Sequence, residues 1–270
     1  SNGAATVKIG AGAHKVNALH LVDANAQFEF ADGAEITGDI TTAAAPGGIV
    51  TFLGGGKVTG TTGAGGNALT TVNLNGDSTK TVQFGKTITA TNTNIGAGTL
   101  ELNNAGDIVG ITNFTDAKNG GTLLISGAAA HSINGNVVTG GNNRGTISIA
   151  NGVGANAVTF TGQIGDRANA NSLKLLSIDS GNSAIFTGNN SQITSVSFGA
   201  NGGTLEFNKA NATHKIGGIT SAGNQGTLKI TANTTFEAAA NNAAVTFGTS
   251  AAKLAEVEIA NGQTMTVGDN

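Results

Sequence analysis

Five copies of one short phrase constrain this chain more than any other feature. They are Gly98-Thr99-Leu100-Glu101-Leu102, Gly121-Thr122-Leu123-Leu124-Ile125, Gly145-Thr146-Ile147-Ser148-Ile149, Gly203-Thr204-Leu205-Glu206-Phe207 and Gly226-Thr227-Leu228-Lys229-Ile230. Neighbouring copies lie 23, 24 and 23 residues apart (121 − 98, 145 − 121, 226 − 203), with a wider gap from Gly145 to Gly203. A degenerate copy, Ser172-Leu173-Lys174-Leu175, falls inside that gap. A second phrase, Val-x-Phe with Gly close behind, recurs at Val50-Thr51-Phe52, Val82-Gln83-Phe84, Val158-Thr159-Phe160, Val196-Ser197-Phe198 and Val245-Thr246-Phe247. Both phrases set apolar residues two apart, so both side chains point to one face of a short strand. Asn-Gly pairs at Asn75-Gly76, Asn119-Gly120, Asn134-Gly135, Asn151-Gly152, Asn201-Gly202 and Asn261-Gly262 separate the phrases. These residue types tolerate positive φ and mark tight turns. A 3.6-residue period is almost nowhere sustained, and only the Ala-rich stretch Glu237–Ala244 tempts a short helix.

A period of about 20–25 residues carrying several strands and bends is what one coil of a solenoid needs. The expected fold is therefore all-β, a right-handed parallel β-helix (β-solenoid), with residues 1–270 as a single segment. About a dozen coils at ~4.8 Å would make a rod on the order of 55–60 Å long. The rival is an antiparallel sandwich, since Asn-Gly also makes hairpin turns. Against it stand the return of one phrase from coil to coil and the absence of Trp and Tyr from the chain.

Composition narrows the function classes. With 39% hydrophobic residues, regularly placed, the chain is too apolar for disorder. Its 43 Gly against 1 Pro follow no triplet period, which excludes collagen. Net charge is −3 without a Lys/Arg cluster, so no nucleic-acid or anionic-lipid footprint exists. No apolar run is long enough to span a bilayer as a helix. Zero Cys removes disulfides and thiolate metal sites. The chain starts in mid-pattern, and Met265-Thr266-Val267-Gly268 still reads as strand, so a slice of a longer array is expected.

No residue of the chain is expected to be catalytic, cofactor-binding or metal-binding, and no cofactor is expected. Gly85-Lys86-Thr87 ends like a phosphate loop, but the first Gly of that motif falls on Lys80. Gly54-Gly55-Gly56-Lys57 is followed by Val58, which lacks the Mg²⁺-binding hydroxyl, and Gly63–Ala68 has no βαβ context. His14, His131 and His214 share a frame of small residue, His, polar residue, β-branched residue, and are read as an outer-face repeat position. The 83 residues between His131 and His214 amount to three or four coils, too far for one metal. His20 stands outside that pattern. Asp39, Asp107 and Asp166 each follow Gly, while Glu101 and Glu206 share one slot of the repeat. They read as solvated turn and face residues, and sugar-cleaving β-helices would need paired acids in a groove. Sugar clefts also rely on Trp and Tyr platforms, which this chain cannot supply. The calcium nonapeptide of toxin-type solenoids is missing. The sequons at Asn113 and Asn211 arise freely in an Asn- and Thr-rich chain, and the single run Thr87–Thr93 cannot by itself build a flat ice-binding face.

At the level of phrases the chain resembles passenger regions of rickettsial-type outer-membrane surface antigens, members of the autotransporter family. Gly203-Thr204-Leu205-Glu206-Phe207-Asn208, His214-Lys215-Ile216-Gly217-Gly218-Ile219 and Val158-Thr159-Phe160-Thr161-Gly162-Gln163-Ile164-Gly165 carry the likeness, which covers most of the chain. It implies a secreted passenger at the bacterial cell surface, taken through the outer membrane by a C-terminal translocator barrel not contained in these residues. It also implies adhesion to or invasion of host cells, with a host cell-surface protein as partner. The resemblance brings no catalytic residues. An inert stalk or coat segment and a polysaccharide-acting β-helix enzyme are the alternatives.

Overall fold

The computed structural model describes residues 5–63, 67–118, 120–150, 157–166, 168–179, 181–239 and 244–268. Among them are 26 strands and no helix. The strands form two 13-stranded sheets in which every strand-to-strand pairing is parallel, stacked as a β-solenoid of about ten turns. At ~4.8 Å per turn this gives a rod of roughly 50 Å. That is somewhat shorter than a dozen coils would give, because some turns are long. Face-equivalent Ile147 and Leu176, for instance, lie 29 residues apart (176 − 147).

Register sorts the strands into three ladders, here faces A, B and C. Face A stacks Gln27, Ile49, Thr71 and Asn92 in successive turns. Face B stacks Leu100, Leu123, Ile147, Leu176, Val196 and Ile219. Face C stacks Ile88, Ile108, Ile133, Phe160, Phe186, Phe207 and Ile230. The chain visits A, B and C in order, then moves one row along. Some strands pass through a corner unbroken: Ala212–Ser221 runs from face A onto face B.

Alternation along each strand gives the core. Thr204–Phe207 reads half-buried, buried, half-buried, buried, and so do Thr81–Phe84, Thr99–Leu102 and Thr227–Ile230. The interior column holds two runs of rings. Phe30 stacks on Phe52 at 4.7 Å and Phe52 meets Phe84 edge-on at 5.7 Å. Further along, Phe160, Phe186, Phe207 and Phe236 succeed one another at 5.3, 5.0 and 4.9 Å. Burying each ring contributes roughly 1.5–3 kcal/mol, and each favourable ring pair about 0.5–1.5 kcal/mol more.

Four of the five phrase glycines share one task; at the fifth, Gly98, a Cβ would instead meet the Lys80 carbonyl oxygen at 2.8 Å. A Cβ on Gly145 would sit 2.5 Å from the Phe114 ring, and one on Gly226 would sit 2.2 Å from the Phe198 ring. Both residues also have positive φ, +74° and +81°. Gly121 and Gly203 lie in the same way against Ile95 and Ile178. In each case the glycine lets the corner close over the last inward side chain of the preceding face. The two runs of the phrase nevertheless occupy different faces. Thr99, Thr122 and Thr146 are register partners on face B, whereas Thr204 and Thr227 pair on face C. Val-x-Phe serves all three faces: Val50 on A, Val82 on B, Val158 on C. The degenerate copy is displaced by three residues from the expected one, since Leu176 rather than Leu173 pairs with Ile147.

Corners are fastened by Asp and Asn side chains that accept a backbone N–H from the next turn. Asp39 accepts from Thr61 (2.7 Å), Asp107 from Ser132 (2.7 Å), Asn136 from Gln163 (3.0 Å), Asn189 from Thr213 (3.0 Å) and Asn233 from Thr264 (2.9 Å). Of the Asn-Gly turns, those at Gly120, Gly135, Gly202 and Gly262 have positive φ as expected, whereas Gly76 does not. Asn119, Asn151 and Gly152 lie outside the described residues. The Ala-rich stretch is strand to Glu237, followed by buried Ala238 and Ala239 without helix; residues 240–243 are outside the described set.

Candidate functional site

The histidine reading needs correction. His131 and His214 face the interior, at 3% and 0% exposure, not the outer surface. Each lies two residues before a buried isoleucine, Ile133 or Ile216, and strand parity sends both to the same side. His131 Nδ1 is 2.6 Å from the Gly106 carbonyl oxygen. The His214 ring packs among Phe186, Phe207 and Phe236, with centroids at 6.1, 4.7 and 6.5 Å. The two are on different faces, C and A. His14 is half-buried with Nε2 at 3.0 Å from the Gly10 oxygen, and His20 is exposed beside the Thr41 hydroxyl at 2.8 Å. Among the described residues no group of three or more His, Asp or Glu could hold a metal ion.

The five acidic residues are spread over different faces and turns, and each is engaged in the scaffold. Asp39 and Asp107 fasten corners as above. Glu101 accepts from Gln83 Nε2 (2.9 Å) and the Ser126 hydroxyl, and Glu206 accepts from the Thr231 hydroxyl (2.9 Å). Asp166 closes a small hairpin, accepting the N–H groups of Ala168 and Asn169 while bridging antiparallel to Asn171. The Asn169 amide, ahead of these N–H groups, holds the Asp166 carboxyl below its usual range. Among the described residues of this hairpin, Ala168, Asn169 and Ala170 are exposed. Thr87 uses its hydroxyl to accept the Asp107 N–H at 3.2 Å, and Thr93 points inward, so the Thr87–Thr93 run forms no flat outer row. Asn113 is tied into a surface amide ladder, and Asn211 occupies an exposed turn at φ 57°. Residues 64–66 of the loose glycine match lie outside the described set.

The feature that sequence reasoning missed is a depression of about 360 Å³ on face B. The outward columns there contain Gly33, Gly55 and Thr81, and beside them Glu35, Lys57 and Gln83. Two glycines in place of side chains leave the hollow; a Cβ on Gly33 would meet only open space. The run Gly54–Lys57, set aside as a phosphate loop, thus lies at its floor. One rim is an ion pair between residues 48 apart: Lys80 Nζ bonds the Asp32 carboxylate at 2.5 Å, and the Gly55 N–H adds a bond of 2.7 Å. Lys80, then Gly55, hold the Asp32 carboxyl below the usual range, while Asp32 pushes the Lys80 ammonium up. Asp77 is likewise lowered, chiefly by the Thr79 hydroxyl. A second depression, about 470 Å³, is lined by Lys15, Val16, Asn17 and Thr37. Glu35 and Thr37 stand two apart on one strand, so the two hollows adjoin across face B.

Nothing in the local sequence announces the Asp32–Lys80 pairing, which exists only because the turns stack. Compared with family models, with curated proteins and with solved structures, the chain matches none.

Proposed function

We propose that this chain is a non-enzymatic, surface-exposed rod of the autotransporter passenger type that mediates adhesion to or invasion of host cells. The observation that carries the reading is the fate of the acidic side chains. Asp39, Asp107, Asp166, Glu101 and Glu206 each receive hydrogen bonds that join or close turns, and so serve the scaffold. The outward columns meanwhile offer long rows of Thr, Ser and Asn, a surface suited to broad, weak contact rather than to chemistry. The family resemblance adds the host cell surface as the place of that contact and a host protein as the partner.

Uniformity of those columns also favours a second reading, an inert stalk. Binding of the purified 270-residue chain to cultured host cells decides between them. Saturable binding is expected; a chain that stays in solution while a longer passenger binds would leave these turns as stalk.

A further inference from the structure

We propose that the glycine-floored depression on face B is a protein-docking surface organised around an unpaired charge pair, Glu35 and Lys57. Five Lys/Glu pairs among the described residues are direct register partners on adjacent strands; in one of them, Glu206 and Lys229, each side chain is engaged elsewhere, by the Thr231 hydroxyl and by Glu258. Three close into ion pairs: Lys8–Glu29 at 3.4 Å, Lys215–Glu237 at 4.0 Å and Lys229–Glu258 at 3.7 Å. Glu35 and Lys57 are opposed in the same register but form no ion pair. Their charges flank the hollow that Gly33 and Gly55 leave open, with the Asp32–Lys80 pair on the far rim.

Elimination fixes the occupant. The depression is open and lacks apolar walls, so it cannot bury a small ligand as binding pockets do. Its charged groups balance, two carboxylates against two ammoniums with Lys80 at the rim, which offers nothing to nucleic acid or an anionic membrane. Without aromatic platforms it gives a sugar ring nothing to stack on. Backbone groups of this face are already paired along the ladder, so an extended peptide cannot add as a strand. A folded protein surface presenting an acidic and a basic side chain about one strand spacing apart satisfies both free charges. This inference rests on the adhesion reading and locates it.

The test uses the whole chain and single charge reversals, Glu35→Lys and Lys57→Glu, in a cell-binding assay. Each is expected to lower cell binding about tenfold at physiological salt. Added salt should weaken the unmodified chain and narrow the difference. Lys8→Glu, at a pair that is already closed, should change binding less than about twofold. If a reversal disturbs folding by circular dichroism, Glu35→Gln and Lys57→Gln replace it, with a loss of about threefold expected. Binding that survives every Glu35 and Lys57 variant overturns the docking surface but leaves adhesion standing. No binding by the unmodified chain overturns both. Loss of binding after glycosidase treatment of the cells, but not after protease treatment, would make the occupant a glycan and also overturn the proposal.

Discussion

The first three copies of the Gly-Thr-apolar phrase and the last two look alike, yet they build different walls. Gly98, Gly121 and Gly145 open strands on face B whose own inward residues are Ile and Leu, with Phe114 under Gly145 and Thr93 and Thr112 buried nearby. Gly203 and Gly226 open strands on face C, over the long stack of Phe rings that also encloses His214. Between them lies the 29-residue turn from Ile147 to Leu176, after which the phrase returns one face later. The difference teaches that the phrase encodes a corner followed by an alternating strand. It carries no address for a face; the lengths of the intervening corners supply that.

The largest expected effect breaks the face C run at its core. Leu205→Asp would bury a charge with no partner and should cost more than about 4 kcal/mol. Several adjacent turns should lose hydrogen-exchange protection together, because each turn is stabilised mainly by its neighbours. Protection lost only at residue 205 would contradict the stacking account. Next comes the corner rule. Gly226→Ala meets both a positive φ and the Phe198 ring, and should cost about 2–4 kcal/mol in urea unfolding. Phe198→Leu should restore part of that. At Gly98, where φ is ordinary, the same change should cost less, about 1–2 kcal/mol. Equal costs at both positions would contradict the part assigned to the positive φ and the Phe198 ring at Gly226.

A smaller effect concerns the corner fastenings. Asn189→Ala, which frees the Thr213 N–H, should lower stability by about 1 kcal/mol. The smallest is the response to acid. Asp32, Asp77 and Asp166 have folded pKa values below the ordinary 3.8, so they bind fewer protons folded than unfolded. Their contribution is present above that value and is lost as pH falls through the lower, folded ones. Thermal melting between pH 5 and about pH 2 should show the loss, and Asp32→Asn should flatten it.

Much of the fold was legible because a strand period of two leaves a direct record in the order of residues. The phrases, the turn glycines at 135, 202 and 262, and the parallel stack all follow from it. The same parity was available for His131 and His214. Each stands two residues from an isoleucine that had to face inward, so the outer-face reading set aside the rule that found the strands. The depression on face B was not legible. Its walls come from three successive turns, and the Asp32–Lys80 contact spans two turns whose lengths no local pattern fixes. Register also decides that Glu35 opposes Lys57, and register was the one quantity the phrases leave open.

The amide ladder on face A gives the rod something its repeated strands lack, a direction. Asn113 Nδ2 donates to Asn94, Asn94 Nδ2 donates to Asn73, and Asn73 Nδ2 donates to the Thr51 hydroxyl. These three links point the same way, from later turns toward earlier ones, and the run ends at Thr51, which also accepts from Gln27 Nε2 on its other side. A chain of aligned donors polarises each member in turn. The strip therefore has a head and a tail, and a molecule lying along it would meet different groups according to which way it was laid down.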